Sequence, residues 1–227
     1  MSDLHRAMAM LEAAGDAARA AEMAAYHKAS RVYLGVPVPV ITDLANQWRA
    51  EMDVAGRVAL SQALWQSDVH EARIAAAKLL VQARIRPDQA VWDLFLSWVP
   101  DFDGWAIADH ACEVGRRRLE AEPARIADIE PLTTSPHMWS RRAALVVTLP
   151  FARKNNPKPA DLAIRERVLG WAADYAGDKD WFIQKAVAWW LRDLSKHDAA
   201  RTQAFLDGPG QALKPWAQKE AARHLGP

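Results

Sequence analysis

Four stretches of this chain can be laid over one another without a gap: EARIAAAKLLV, WAIADHACEVG, WSRRAALVVTL and WFIQKAVAWWL. They begin at Glu71, Trp105, Trp139 and Trp181, so the intervals are 34, 34 and 42 residues. A period of about 30 to 45 residues holds two helices and a turn, and little else. One helix pair cannot cover its own apolar face, so neighbouring pairs must stack into a continuous core. The repeat therefore predicts an all-α chain, an α-solenoid of antiparallel helix pairs forming a single domain over residues 1–227.

Periodicity elsewhere agrees. The opening MSDLHRAMAMLEAAGDAARAAEMAAYHK reads as helix, rich in Ala and capped by Ser2 or Asp3. The next segment, SRVYLGVPVPV, breaks the pattern: Gly35, Pro37 and Pro39 oppose a regular helix, and no second strand-like run exists to pair with it. It reads as an extended loop. Later helices are expected to start at Asp68, Pro87, Asp103, Pro123, Pro136, Pro159 and Asp178, each a cap or a first-turn proline. Short connections force consecutive helices antiparallel. A stack of this kind, of HEAT or armadillo type, curves, and the second helix of each pair lines its concave face. The four aligned helices are the ones expected to meet a ligand.

Composition narrows the partner. The halves are unequal: residues 1 to 113 carry 10 Lys+Arg and 15 Asp+Glu, whereas residues 114 to 227 carry 19 and 13. A basic half of net +6 suits an anionic partner, with uneven surface charge as the plain alternative. The lone cysteine, Cys112, excludes an internal disulfide and reads as a small core residue. Seven histidines show no i,i+4 pair and no Cys pair exists, which disfavours metal. Phosphate-binding glycine loops and the nucleophile elbow are absent from the sequence. No cofactor is implied. The first residues lack a basic run followed by an apolar one, and the longest apolar stretch is too short to span a bilayer. The expectation is a cytoplasmic monomer with no membrane contact.

Chemistry concentrates on the aligned helices. Trp105 and Asp109 stand at i,i+4, so an indole and a carboxylate share one helix face. Arg142 follows Trp139 by three and shares a face with it. Trp189 and Trp190 are adjacent and point about 100° apart, so one packs inward and the other is available to the groove. Where Asp109 stands, the other repeats have Ala75, Ala143 and Lys185. Each residue also has a structural reading, in which tryptophans fill the core and a lone aspartate pairs with arginine. The combination on one face is what points to a site.

These residues resemble the AlkD-like DNA alkylation repair proteins, a HEAT-like repeat DNA glycosylase family. The resemblance spans almost the whole chain. It is carried by Tyr26-x-Lys28 followed by GVPVP (Gly35 to Pro39), by W-x-x-x-D at Trp105 to Asp109, by W-x-R-R at Trp139 to Arg142, and by FIQKAVAWWLRD from Phe182 to Asp193. It implies about six HEAT-like pairs with a concave basic groove holding duplex DNA. It also implies Asp109 as catalytic carboxylate, with Trp105 and Trp189 framing the lesion and Arg142 gripping the backbone. DNA contacts are expected from Arg141, Arg142, Lys179, Lys185, Arg192, Tyr26 and Lys28.

The implied activity is hydrolysis of the N-glycosidic bond of N3- and N7-alkylated purines. Such a base is already cationic and leaves neutral, so no acid need protonate it. Bond breaking builds an oxocarbenium ion on the sugar. A carboxylate beside that carbon stabilises the ion and orients water, and indole faces attract the cation. Most glycosylases flip the base into a pocket. The resemblance implies instead that the lesion is handled within the duplex, through its backbone. Two other readings fit a helical repeat: a non-catalytic protein binding damaged or branched DNA, and a protein-interaction scaffold.

Overall fold

The computed structural model describes residues 2–226. Among these residues there are fourteen α-helices, a few 3-10 turns and no strand; one isolated bridge joins Val32 to Val69. The all-α expectation holds. Contacts gather the chain into two compact units, one up to Arg118 and one from Leu119.

Unit 1 contains α1 (Asp3–Ala13), α2 (Ala17–His27), α3 (Val38–Glu51), α4 (Val54–Gln66), α5 (His70–Leu80), α6 (Gln89–Trp98) and most of α7 (Trp105–Ala121). Unit 2 contains α8 (Ile126–Ile129), α9 (Met138–Val147), α10 (Leu149–Ala152), α11 (Pro159–Asp174), α12 (Trp181–Ser195), α13 (Ala199–Asp207) and α14 (Pro215–Ala221). The repeat register is reproduced closely. Glu71, Trp105, Trp139 and Trp181 each fall at the first or second residue of α5, α7, α9 and α12.

Helix starts show where local signals compete. Ser2 caps α1 by accepting from the His5 N–H, and Pro159 opens α11 at its first position. The long opening run is two helices, because Asp16 accepts from the Arg19 N–H at 2.7 Å and starts α2 afresh. The proline-rich loop ends earlier than the sequence suggests. Pro37 caps α3, and Pro39 lies in its first turn, where a missing N–H costs nothing. Asp68 adopts a left-handed φ of 55°, so Val69 takes the cap position of α5. Asp178 accepts from the Asp180 N–H, and Asp180 is the residue that caps α12. The other starts also move, with α6, α7 and α9 opening at Gln89, Trp105 and Met138, while Pro123 begins a 3-10 turn.

Six of the eleven tryptophans fill the cores: Trp48, Trp65, Trp92 and Trp98 in unit 1, Trp171 and Trp190 in unit 2. Trp65 stacks on Trp98 with centroids 4.4 Å apart. Truncating one such indole to Ala costs about 3–5 kcal/mol. Cys112 is buried and forms no disulfide, as its sequence context suggests.

Buried polar groups tie the helices together. The fully buried Glu71 accepts from three consecutive backbone N–H groups, those of Leu34 (3.0 Å), Gly35 (2.7 Å) and Val36 (3.3 Å). The proline-rich loop is thereby pinned to α5. Gly35 has φ +78° and lies where a Cβ would come 2.1 Å from the Asp16 carbonyl oxygen, so only glycine fits. Two arginines act likewise on loop carbonyls. Arg118 donates to the carbonyls of Gln82, Ala83 and Ile85 and pairs with Asp88. Arg165 donates to those of Phe151 and Lys154 and pairs with Asp198.

No helix among the described residues is long and apolar enough to cross a membrane, and no group of three or more potential metal ligands occurs among them.

Candidate functional site

In unit 1 the site forms around the first two turns of α7. Trp105 is 39% exposed, whereas Trp48, Trp92 and Trp98 of the same unit are hidden almost completely. Asp109, partly exposed, follows one turn later. The Trp105 indole is walled by rings. Tyr26, 68% exposed at the end of α2, meets it edge-on with centroids 6.2 Å apart and planes at 89°. The His27 ring lies 5.6 Å from it. Behind them His70 sits between His27 (4.6 Å) and Tyr33 (4.8 Å).

These imidazoles are held neutral. His70 is pushed down to about 3, by burial first and then by the repulsion its cation would meet from His27, Arg31 and His110. Burial likewise lowers His27, against the opposing pull of Glu71, and lowers His110 beside Asp109. The wall beside Trp105 is therefore aromatic and uncharged at neutral pH, a surface that accepts a cation without competing with it.

A charge network sets the start of α7. Arg31, buried, pairs with Asp103 and with Asp68 (3.5 Å), and Asp68 also pairs with Arg73 (3.0 Å). Asp103 stands two residues before Trp105, so the loop after α2 and the entry to α7 are fastened to each other. Lys28 closes α2 in a left-handed conformation, φ 61°, with its side chain exposed.

In unit 2 the basic and aromatic residues gather on α9, α12 and α14. Arg142 is only 3% exposed and lies over Trp139, 5.6 Å from the ring centroid. Trp139 in turn packs against Phe182 (4.7 Å). Arg141 donates to the carbonyls of Ser135 (2.9 Å) and Pro136 (3.2 Å) and reaches Asp178 at 3.4 Å. Arg192 pairs with Glu220 at 2.5 Å and with Asp193 at 3.5 Å. Lys179 and Lys185 are exposed, the Lys185 ammonium lying 4.7 Å over the Trp181 ring. Of the expected DNA contacts in this unit, the two lysines present their charge outward. Arg141, Arg142 and Arg192 are held by partners within the chain. Unit 2 itself, residues 119–227, carries 16 Lys+Arg and 13 Asp+Glu, a net of +3, because Arg116, Arg117 and Arg118 of the basic half lie in unit 1.

The adjacent pair on α12 divides as expected: Trp190 is fully buried and Trp189 half-buried. The indole that sequence reasoning passed over is Trp181, 49% exposed, the first residue of α12. The signal was present in the repeat. Trp181 occupies the aligned position of Trp105 and Trp139, and a first-turn side chain leans back over the helix N-terminus, clear of the next turn.

Several solved structures share the fold of this chain. One described as "Predicted DNA alkylation repair enzyme from Enterococcus faecalis" superposes with a TM-score of 0.76 at 24% identity, covering 93% of this chain and 97% of that one. AlkD2 from Streptococcus mutans gives 0.62 at 17% identity, over 84% and 91%. The protein smu.31 from Streptococcus mutans UA159 gives 0.61 at 17%, over 82% and 92%. At these identities the likeness is one of fold. No curated protein matches the chain. The family model described as DNA alkylation repair enzyme matches residues 7–225, and the chain belongs to that family.

Proposed function

We propose that the chain is a monofunctional DNA glycosylase that releases cationic N3- and N7-alkylpurines from duplex DNA. The observation that carries the reading is the pairing of an exposed indole, Trp105, with a carboxylate one turn along, Asp109, in a chain of the DNA alkylation repair family. Asp109 stabilises the oxocarbenium ion that forms as the base departs, and it orients the attacking water. Trp105, steadied by Tyr26 and His27, offers its π-face to the cationic sugar or base. Trp189 is retained as a candidate lesion contact. Affinity for the backbone comes chiefly from Lys28, Lys179 and Lys185, while Arg141, Arg142 and Arg192 shape the surface around them.

The chemistry needs no cofactor and no amine nucleophile. The products are a free base and an intact strand with an abasic site.

The test is release of N7-methylguanine from duplex DNA by the wild type and by Asp109→Asn. Asn keeps the shape of the side chain and loses its charge. Removing one preorganised electrostatic contact costs about 10²–10³ in rate. The variant should retain its melting temperature and DNA affinity while excision falls by about that factor. Unchanged excision by a folded, DNA-binding Asp109→Asn protein would overturn the assignment and favour a non-catalytic DNA-binding role.

A further inference from the structure

Unit 2 carries an aromatic surface that base excision does not account for. Trp181 and Trp216 are 49% and 37% exposed, and their rings lie 5.9 Å apart, inclined by 34°. Trp181 meets Phe182 edge-on at 5.0 Å, and Phe182 meets Trp139 at 4.7 Å. Four rings from the first turns of α9, α12 and α14 thus run in contact, with two large indoles open at one end. Leaving both indoles in water forfeits the hydrophobic gain of burying them. Such surface on a folded unit marks an interaction site.

The charges around it select the partner. The Lys185 ammonium sits over the Trp181 ring at 4.7 Å. Lys179 is exposed just before α12, and Lys214, two residues before Trp216, donates from Nζ to the Lys179 carbonyl at 2.7 Å. Neighbouring carboxylates are engaged elsewhere: Asp178 with Arg141, Asp180 with the backbone N–H groups of α12, Glu220 with Arg192. The open indoles therefore face outward among lysines whose charge those carboxylates do not take up.

We propose that the Trp181–Trp216 surface is a stacking platform for unpaired nucleobases, so that unit 2 binds single-stranded DNA. Only unpaired bases offer a free π-face, since in a duplex both faces are covered by neighbouring pairs. Indoles that stack bases, flanked by lysines that follow the phosphates, are the recurring means of holding single strands without reading their sequence. A purely phosphate-binding surface needs no exposed indole, and a purely apolar partner gains nothing from the lysines. This function is separate from base release and does not depend on it.

The experiment uses the full chain with two fluorescently labelled probes of equal length, an oligothymidylate and the same phosphodiester chain lacking bases. Binding is followed by anisotropy at low salt. The wild type should bind the oligothymidylate more tightly. Trp216→Ala should lose about 5- to 150-fold on the oligothymidylate, the range that alanine substitution of a base-stacking aromatic produces, with little change on the baseless chain. Trp216→Phe keeps a π-face and should restore most of the affinity. Equal wild-type affinity for the two probes would show that phosphates alone are bound and would overturn the proposal without any variant. Undiminished oligothymidylate binding by a folded Trp216→Ala protein would overturn it too. The probes are undamaged, so failure here is distinct from failure to release an alkylated base.

Discussion

Replacing Glu71 by Gln tests whether one carboxylate holds the front of unit 1 together. In the structure Oε1 accepts from the N–H groups of Gly35 and Val36, and Oε2 accepts from that of Leu34. Glutamine offers one carbonyl oxygen, so its best orientation keeps the first two bonds as neutral ones. Its NH₂ group is then turned against the Leu34 N–H. Hydrogen bonds to a charged group contribute about 1.5–3 kcal/mol each and neutral ones about 0.5–1.5, while a stranded buried donor costs about 1–3. Relief from burying a charge offsets part of the loss. The expected net destabilisation is about 2–4 kcal/mol. At about 2–4 °C per kcal/mol for a chain of this size, the melting temperature should fall by roughly 4–16 °C. Thermal unfolding followed by circular dichroism reads this directly. The loop that Glu71 holds also carries Arg31 and Tyr33, so the rings beside Trp105 should loosen, and base release should drop even well below the melting temperature. A Glu71→Gln protein with wild-type melting would refute the claim that the three N–H bonds govern this region.

Duplex affinity should fall steeply between about 50 and 200 mM salt, since counterion release costs a binder with 6–10 phosphate contacts about 10³–10⁵ over that range; a flat titration would contradict the electrostatic reading. Lys179→Gln and Lys185→Gln should each reduce the salt slope by about 1, whereas Arg192→Gln, which breaks the pair with Glu220, should change stability more than slope. Borohydride should trap no covalent protein–DNA adduct, because the proposed chemistry uses no amine; a trapped adduct would exclude the monofunctional assignment. His70 contributes a pH dependence whose sign is fixed by its depressed pKa, about 3 when folded against 6.5 when unfolded. The unfolded chain binds the extra proton, so this contribution is complete above about 6.5 and is lost as pH falls toward 3. Urea unfolding of His70→Phe, which keeps a ring between His27 and Tyr33, should show less loss of stability than wild type between pH 6.5 and 4.5.

The repeat was readable because it is local. Four helices begin within one residue of the aligned positions, and the split of Trp189 from Trp190 follows from helical geometry alone. What the sequence concealed is long-range and polar. Glu71 and Leu34 are 37 residues apart, and Arg118 reaches carbonyls 33 to 36 residues away, with no spacing rule to announce either contact. Local signals also misled at Asp178, since Asp180 stands two residues on and only backbone geometry decides which carboxylate caps. At the candidate site, Trp105 with Asp109 was legible from i,i+4 spacing. The exposure of Trp181 was legible only through its alignment with Trp105 in the repeat, because periodicity by itself ranks a first-turn indole no differently from a core one. The charge excess of residues 114–227 was visible, but which cations face outward depended on pairings with Asp178, Asp193 and Glu220.

Arg118 and Arg165 bear on how such a chain can drift through sequence space. Each lies inside its unit with a fan of backbone carbonyls and one carboxylate around a single planar group. A lysine at either place would keep the charge and lose the fork, leaving carbonyls unsatisfied. These two positions should therefore admit almost no replacement, even in a descendant that has given up every interaction with nucleic acid. Outward lysines such as Lys179 and Lys185 obey the opposite rule, exchanging freely with arginine while a polyanion is still bound and dissolving into any polar residue once it is not. The rate at which each class of cation turns over among descendants would thus record when binding was lost, separately from whether the fold survived.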